Sequence, residues 1–282
     1  MRISRTFAVA VAVGAAAIVG QPAVAQEGPL DQLMELPRTG GVVSPMFDGW
    51  YRNPDGSITV SFGYINLNRE ESPVIPIGEN NYIEPAQFNG MQPTYFPAIQ
   101  YGGFGGKHER GVFAVTIPAE MADTEVVWTV NHNDRTWKIP AAAGVLEYQL
   151  SYTPATEGSL PPSLRFGDGE LVQGREGIVG PRVTTSVGAP ATLSVYAQDE
   201  GTRDRKAVNV TWFNHQGPGE VEFGTKEAEF EAGTGDASTT ATFTEAGEYL
   251  IRVRADNFGA GDSRPSNQCC WSNAYVPVTV TP

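Results

Sequence analysis

Two adjacent cysteines, Cys269 and Cys270, carry the most distinctive chemistry in the chain. In an oxidising compartment such a pair can close a strained eight-membered ring, stay as free thiols, or cross-link two chains. A Cys-Cys-Trp271 knuckle would shape a loop. A redox or soft-metal site would need a third ligand, and none lies nearby in sequence. Oxygen donors gather in two stretches, Asp199, Glu200 and Asp204 in one and Asp256, Asn257 and Asp262 in the other. Such carboxylates can hold calcium, although no EF-hand spacing is present. His108, His132 and His215 fall in turn or loop contexts without metal-ligand spacing and read as solvated. There is no Gly-x-Ser-x-Gly elbow and no zinc-protease helix, so no catalytic residue is assigned. Gly102 to Lys107 has the wrong spacing for a phosphate loop and reads as a turn. Trp50, Tyr51, Tyr64, Tyr82, Tyr95 and Tyr101 could stack on sugar rings where exposed, but a strand-rich chain needs most of them for its core.

The elements that must position these residues are strands. Asn53-Pro54-Asp55-Gly56 is turn chemistry, followed by Ile58, Val60, Phe62 and Tyr64 alternating with Thr59, Ser61 and Gly63. That is a hairpin with one buried side. Pro73 to Gly78 is a short edge strand with two prolines, and residues 79–96 form an ordered loop packed over the sheet. Phe113, Val115 and Ile117 alternate, as do Val126, Trp128 and Val130. Asn131 to Asp134 turns the chain back through Trp137 and Ile139, and Leu146, Tyr148 and Leu150 make a last strand. Residues 40–154 thus hold the strand density of a β-sandwich, and residues 155–181 lack periodicity and read as a linker. Residues 26–39 form a lead with one short amphipathic stretch.

Ahead of it, Arg2 and Arg5 precede an apolar run from Phe7 to Gly20, and Ala23-Val24-Ala25 ends the segment. Residues 1–25 are a secretory signal peptide by that pattern, and the run is short for a membrane span. No later segment is apolar enough to span a bilayer. The whole chain has a net charge of −13. Cleavage removes two arginines and no acids, leaving 17 basic against 32 acidic side chains and a charge of −15. That surface repels nucleic acid and anionic lipid.

From Ala197-Gln198-Asp199-Glu200-Gly201 through Trp212 and Gly217-Pro218-Gly219 to Thr242–Val253 and Ala255-Asp256, the order of features resembles the PKD and cadherin-like immunoglobulin-like sandwiches of secreted bacterial proteins. The resemblance covers about residues 182–282. It implies that Trp212 is the buried tryptophan of the third strand and that Tyr249 forms a tyrosine corner. Ile251 would then stand where an antibody domain carries a cysteine, opposite an aliphatic residue such as Val195. It also implies that the loops after the second and sixth strands share one end, bringing Asp199, Glu200 and Asp204 towards Asp256, Asp262 and the cysteines. The first half, over Pro45 to Ile139, resembles only uncharacterised secreted bacterial proteins, which supplies no activity. The expected fold is therefore all-β, two β-sandwich domains with the second immunoglobulin-like. The expected function is an exported, non-catalytic binding or structural protein of the bacterial envelope, periplasmic or extracellular. It would present its loops to an envelope protein or polysaccharide, with calcium as the one possible cofactor. The alternative is a secreted carbohydrate-active enzyme or its accessory module.

Overall fold

The computed structural model describes residues 38–98, 108–150, 158–204, 206–257 and 270–282. The first half builds six strands: β1 (Val43–Arg52), β2 (Ile58–Asn66), β3 (Asn81–Glu84), β4 (His108–Ile117), β5 (Val127–His132) and β6 (Arg135–Pro140). The β1–β2 turn forms where the Asn-Pro-Asp-Gly signal stands. Asp55 Oδ1 accepts from the Ser57 amide at 3.0 Å and its hydroxyl at 2.7 Å, which locks the reversal. β5 and β6 join through Asn133 and Asp134, both left-handed at φ 51° and 58°, as a two-residue hairpin turn requires. Two antiparallel sheets result, β1-β2-β4 and β3-β5-β6, sharing one core. At its centre the Trp128 ring meets Phe113 edge-on at 5.0 Å and Phe62 edge-on at 6.0 Å. The Trp128 indole N–H donates to Asn81 Oδ1 at 2.9 Å, so its one polar group is satisfied without water.

The second half continues with β7 (Ser163–Arg165), β8 (Val172–Gln173), β9 (Ile178–Val179), β10 (Val183–Ser186), β11 (Ala191–Gln198), β12 (Val208–Gln216), β13 (Val221–Phe223), β14 (Glu227–Phe230), β15 (Thr234–Phe243), β16 (Gly247–Asp256) and β17 (Trp271–Thr281). One sheet runs β10-β17-β16-β12-β14 with β9 also on β17, and the other runs β13-β15-β11-β7-β8. Leu193, Val195, Trp212, Phe243, Ile251 and Val253 fill the core between them. The Tyr249 hydroxyl donates back to the Glu245 carbonyl at 2.9 Å, the bond that defines a tyrosine corner. The chain is all-β and the second sandwich is immunoglobulin-like.

Several elements differ from the sequence reading. The described part of the stretch read as linker carries three short strands, because Ser163–Arg165 pairs with β11 and Ile178–Val179 runs parallel to β17. Strands of two or three residues are too short to show alternation. Leu146–Tyr148 is a 3-10 turn, with Leu146 exposed. Pro73 to Gly78 keeps only two isolated bridges, Val74 to Tyr95 and Gly78 to Asn81, since its prolines cannot donate to a ladder. The helix-like stretch at 30–36 and the glycine-rich turn at 102–107 lie outside the described residues.

The largest departure concerns β2, which is buried on both faces: Thr59 is 0% and Ser61 1% exposed. The same holds for the second sandwich, where Arg252, Asn273 and Tyr275 are buried opposite the core residues Ile251, Ala274 and Val276. The reason is that sheet β1-β2-β4 lies on the sheet containing β16 and β17. The Tyr275 hydroxyl reaches the Val112 carbonyl at 3.3 Å across that seam.

Candidate functional site

The seam between the sandwiches holds the densest set of charged side chains. Two irregularities prepare it. The β1–β2 register shifts between Phe47 and Gly49, and the β2–β4 register shifts between Phe62 and Tyr64. Bulges of this kind re-aim side chains. Asp48, in the first shift, is 1% exposed; its Oδ2 accepts from the Gly111 amide at 2.7 Å and its Oδ1 lies 2.9 Å from His108 Nε2. Gly63, in the second, lies so close to β4 that a Cβ there would sit 2.3 Å from the Glu109 carbonyl oxygen. Gly111 has φ +62°, and a Cβ on it would sit 2.1 Å from Trp271 Nε1. Both positions need glycine.

Across the seam, Glu109 Oε1 accepts from Arg252 Nη2 at 2.9 Å and Arg254 Nη1 at 2.8 Å. Arg254 Nε continues to Asp256 Oδ2 at 3.1 Å, and Asn209 Nδ2 reaches Asp256 Oδ1 at 3.3 Å. Two carboxylates thus meet two guanidinium groups, and the set is neutral. Arg252 also donates to the Gly111 carbonyl at 3.0 Å, which Asn273 Nδ2 shares at 2.9 Å. The Arg252 guanidinium stacks 4.0 Å from the Phe213 ring centre. Charges buried this deeply persist only when paired and hydrogen-bonded.

A second anchor is His215, which falls where β12 slips register against β16 between Asn214 and Gln216. Its Nε2 is 2.7 Å from the Met91 carbonyl, which only accepts, so Nε2 carries the proton. Burial, with the Arg252 charge adding to it, pushes the imidazole down to about 3. The Thr94 amide donates to the His215 carbonyl at 2.9 Å, and Gln216 Nε2 donates to the Gly90 and Gln92 carbonyls at 2.7 and 2.8 Å. The stretch 79–96, read from sequence as a loop, carries strand β3 at Asn81–Glu84 instead, and its Gly90–Thr94 part packs over a sheet of the second sandwich. The third anchor is the Arg175–Glu176 pair. Arg175 stacks between Tyr51 and Trp271, and Glu176 accepts from the hydroxyls of Thr59 and Thr116.

The residues expected to bind calcium are placed as follows. Asp199 is 5% exposed; its Oδ2 pairs with Arg203 Nη2 at 2.7 Å and its Oδ1 accepts from the Gly201 amide at 3.0 Å. Glu200 accepts from the Ser163 hydroxyl, Asp204 is exposed, and Asp256 belongs to the seam. Asp262 and Cys269 lie outside the described residues; Cys270 is buried and is not a free thiol. Among the described residues no group of three His, Cys, Asp or Glu side chains is placed to hold a metal ion. The histidine expectation is corrected: all three sit in strands, His215 is 1% exposed, and burial lowers the His132 pKa. Of the aromatic residues, Trp50 and Tyr64 are core, Tyr51, Tyr82 and Tyr95 are half-buried, and Tyr101 lies outside the described residues.

Sequence reasoning missed Glu109, Arg175, His215, Arg252 and Arg254. In Tyr249–Asp256 the charges alternate with Ile251, Val253 and Ala255, which is the pattern of a strand facing water. Only the docking of the other sandwich turns that face inward.

Two open grooves lie among the described residues. One, of about 490 Å3, lies beside the seam, where Arg254 and Asp256 meet Asn209, Thr211, Glu227 and Glu229. The other, of about 620 Å3, lies at the β5–β6 turn, where Asn131, His132, Asp134 and Arg135 face Val74 and Pro76. Both offer hydrogen-bond donors and acceptors for a polar ligand. No helix among the described residues is long and apolar enough to cross a membrane.

No protein-family model and no curated protein matches the chain. Among solved structures, it is similar to the ASH / PapD-like domain of human CEP192 at 12% identity, covering 50% of this chain and 94% of that one with a TM-score of 0.27. The D00-D0 domain of intimin is 10% identical, with 84% of this chain and 100% of that one covered and a TM-score of 0.25. SSP-19, an MSP-domain protein like family member in Caenorhabditis elegans, is 12% identical over 36% of this chain and 94% of that one, again at 0.25. Likenesses at these scores carry no argument about what this chain does.

Proposed function

We propose that this chain is an exported, non-catalytic binding or structural protein of the bacterial cell envelope, working as one rigid block of two sandwiches. The observation that carries the reading is the seam. Glu109, Arg252, Arg254 and Asp256 neutralise one another, and the bonds from Glu109 to Arg252 and Arg254 tie one sandwich to the other. Export rests on residues 1–25, and the acidic surface disfavours nucleic acid and anionic lipid. The finer assignment of the second sandwich to the PKD or cadherin-like type rests on Trp212 and the Gly247-Glu248-Tyr249 corner. A vicinal Cys269–Cys270 disulfide belongs to the same reading. The test uses residues 26–282 as bait against fractionated envelope proteins and polysaccharides, with calcium and with chelator. Retention of a defined partner supports the binding module; loss on chelation would bring calcium back. Turnover of an envelope polysaccharide by the purified chain would overturn it.

One observation favours a second reading, a carbohydrate-binding module. The groove at the β5–β6 turn sets amide, imidazole and carboxylate groups over the apolar side chains of Val74, Ile75 and Pro76, the mixed surface that sugar rings use. Polysaccharide capture lost on Asp134→Ala, with the fold intact, would select it.

A further inference from the structure

We propose that copies of this chain join head to tail, β6 of one copy adding to the free edge of β14 in the next. β6 is an edge strand, paired on one side with β5, and β14 is an edge strand, paired on one side with β12. On β6 the hairpin closes at the His132–Arg135 pair, and the Ala141 amide reaches the Val126 carbonyl at 2.8 Å, so alternate residues bond to β5. The main-chain groups of Thr136 and Lys138 therefore point away from the sheet. On β14 the Trp212 amide donates to the Lys226 carbonyl at 3.0 Å, and the same alternation turns the main chain of Glu227 and Glu229 outward. Among the described residues, none hydrogen-bonds to these four outward main chains. Each edge thus offers two ladder rungs at matching spacing.

Charge selects between the possible pairings. Arg135 and Lys138 are exposed on β6, whereas Glu227 and Glu229 are exposed on β14. Pairing β6 with a second β6 gathers four cations. Pairing β14 with a second β14 sets glutamates directly opposite one another, which destabilises a ladder. The same charges that exclude like-with-like pairing complement each other when the edges are mixed. In the antiparallel register that overlaps both strands, Lys138 stands opposite Glu227 and Thr136 opposite Glu229. On the other face, the exposed Trp137 covers Ala228 and Arg135 meets the half-buried Phe230 ring. A contact between two different edges is heterologous, so repetition builds a ring or a filament rather than a closed dimer. A four-residue ladder buries less than the roughly 1,200 Å2 of a standard interface, so each contact is weak and assembly follows local concentration. The inference goes beyond the envelope-protein reading, and the chain can self-associate whether or not it captures an envelope partner.

The test is sedimentation equilibrium of the purified chain over a range of concentrations. The expected weight-average mass climbs past that of a dimer and falls back in about 0.5 M salt. Thr136→Pro and Glu229→Pro each remove an outward amide that no described neighbour uses, and proline is tolerated at such edge positions. Each variant alone should stay monomeric, and an equal mixture should form dimers and nothing larger. Should either proline variant misfold, Lys138→Glu serves instead. It should weaken association about tenfold, and adding Glu227→Lys in the same chain should restore it. A wild-type chain that stays monomeric, or a proline variant that assembles by itself, would overturn the proposal.

Discussion

Lowering the pH from 7 to 5 should cost the folded chain about 2 kcal/mol through His215 alone. The imidazole is 1% exposed, with its proton on Nε2 committed to Met91, the Tyr275 ring 5.3 Å away and the Arg252 guanidinium adding its charge nearby. Folded, it titrates at about 3, against 6.5 when unfolded. Above 6.5 both states hold it neutral and the contribution is full. As the pH falls below 6.5 the unfolded chain takes up a proton that the folded chain refuses, and stability falls by about 1.4 kcal/mol per unit. At pH 4 the cumulative loss is about 3 kcal/mol, and it levels off below the folded value. The assay is urea denaturation followed by tryptophan fluorescence at pH 7 and pH 5, for the wild type and His215→Gln. Glutamine retains an N–H for the Met91 carbonyl but cannot titrate. Other acid-sensitive groups act on both proteins and cancel in the difference. Equal losses of stability in the two proteins would refute the reasoning.

Gly111→Ala should destabilise the fold by about 2–5 kcal/mol, since the added methyl meets the Trp271 indole and the backbone is left-handed; denaturant midpoints measure it. Glu109→Gln should cost about 3–5 kcal/mol, because it leaves Arg252 and Arg254 with one buried carboxylate fewer; the same melts check it, with Asp204→Asn on the surface as an unchanged control. Tyr249→Phe should cost about 1 kcal/mol for the lost bond to Glu245, read from thermal unfolding. The oxidised chain should run as a monomer on a non-reducing gel and weigh two hydrogens less than the reduced chain by mass spectrometry; a disulfide-linked dimer would refute an intrachain Cys269–Cys270 bond.

Local sequence was sufficient wherever structure depends on neighbours along the chain. Asn53 to Gly56 and Asn133-Asp134 are turns because their residue types tolerate the required backbone angles, although the sequence reading began the second turn two residues early, at Asn131. β11 alternates inside and outside as Leu193 and Val195 predict, because its outer face meets water. The tyrosine corner was legible for the same reason, since Tyr249 and Glu245 lie four residues apart. What sequence could not supply was the second burial of β2, β12, β16 and β17. A face bearing Thr59, Ser61, Arg252 and Arg254 reads as wet, because period-two patterning registers polarity and not contact. Its polar groups become interior only when each finds its partner more than a hundred residues away, as Thr59 finds Glu176 and Arg252 finds Glu109. The site follows the same division. Sequence alone determined that the chain is strand-built, acidic and equipped with an immunoglobulin-like second half. The tertiary structure decided that Asp199 and Asp256 are held by arginines and that two sandwiches act as one block. Charge pairing across a seam depends on which surfaces meet, and no local pattern encodes that.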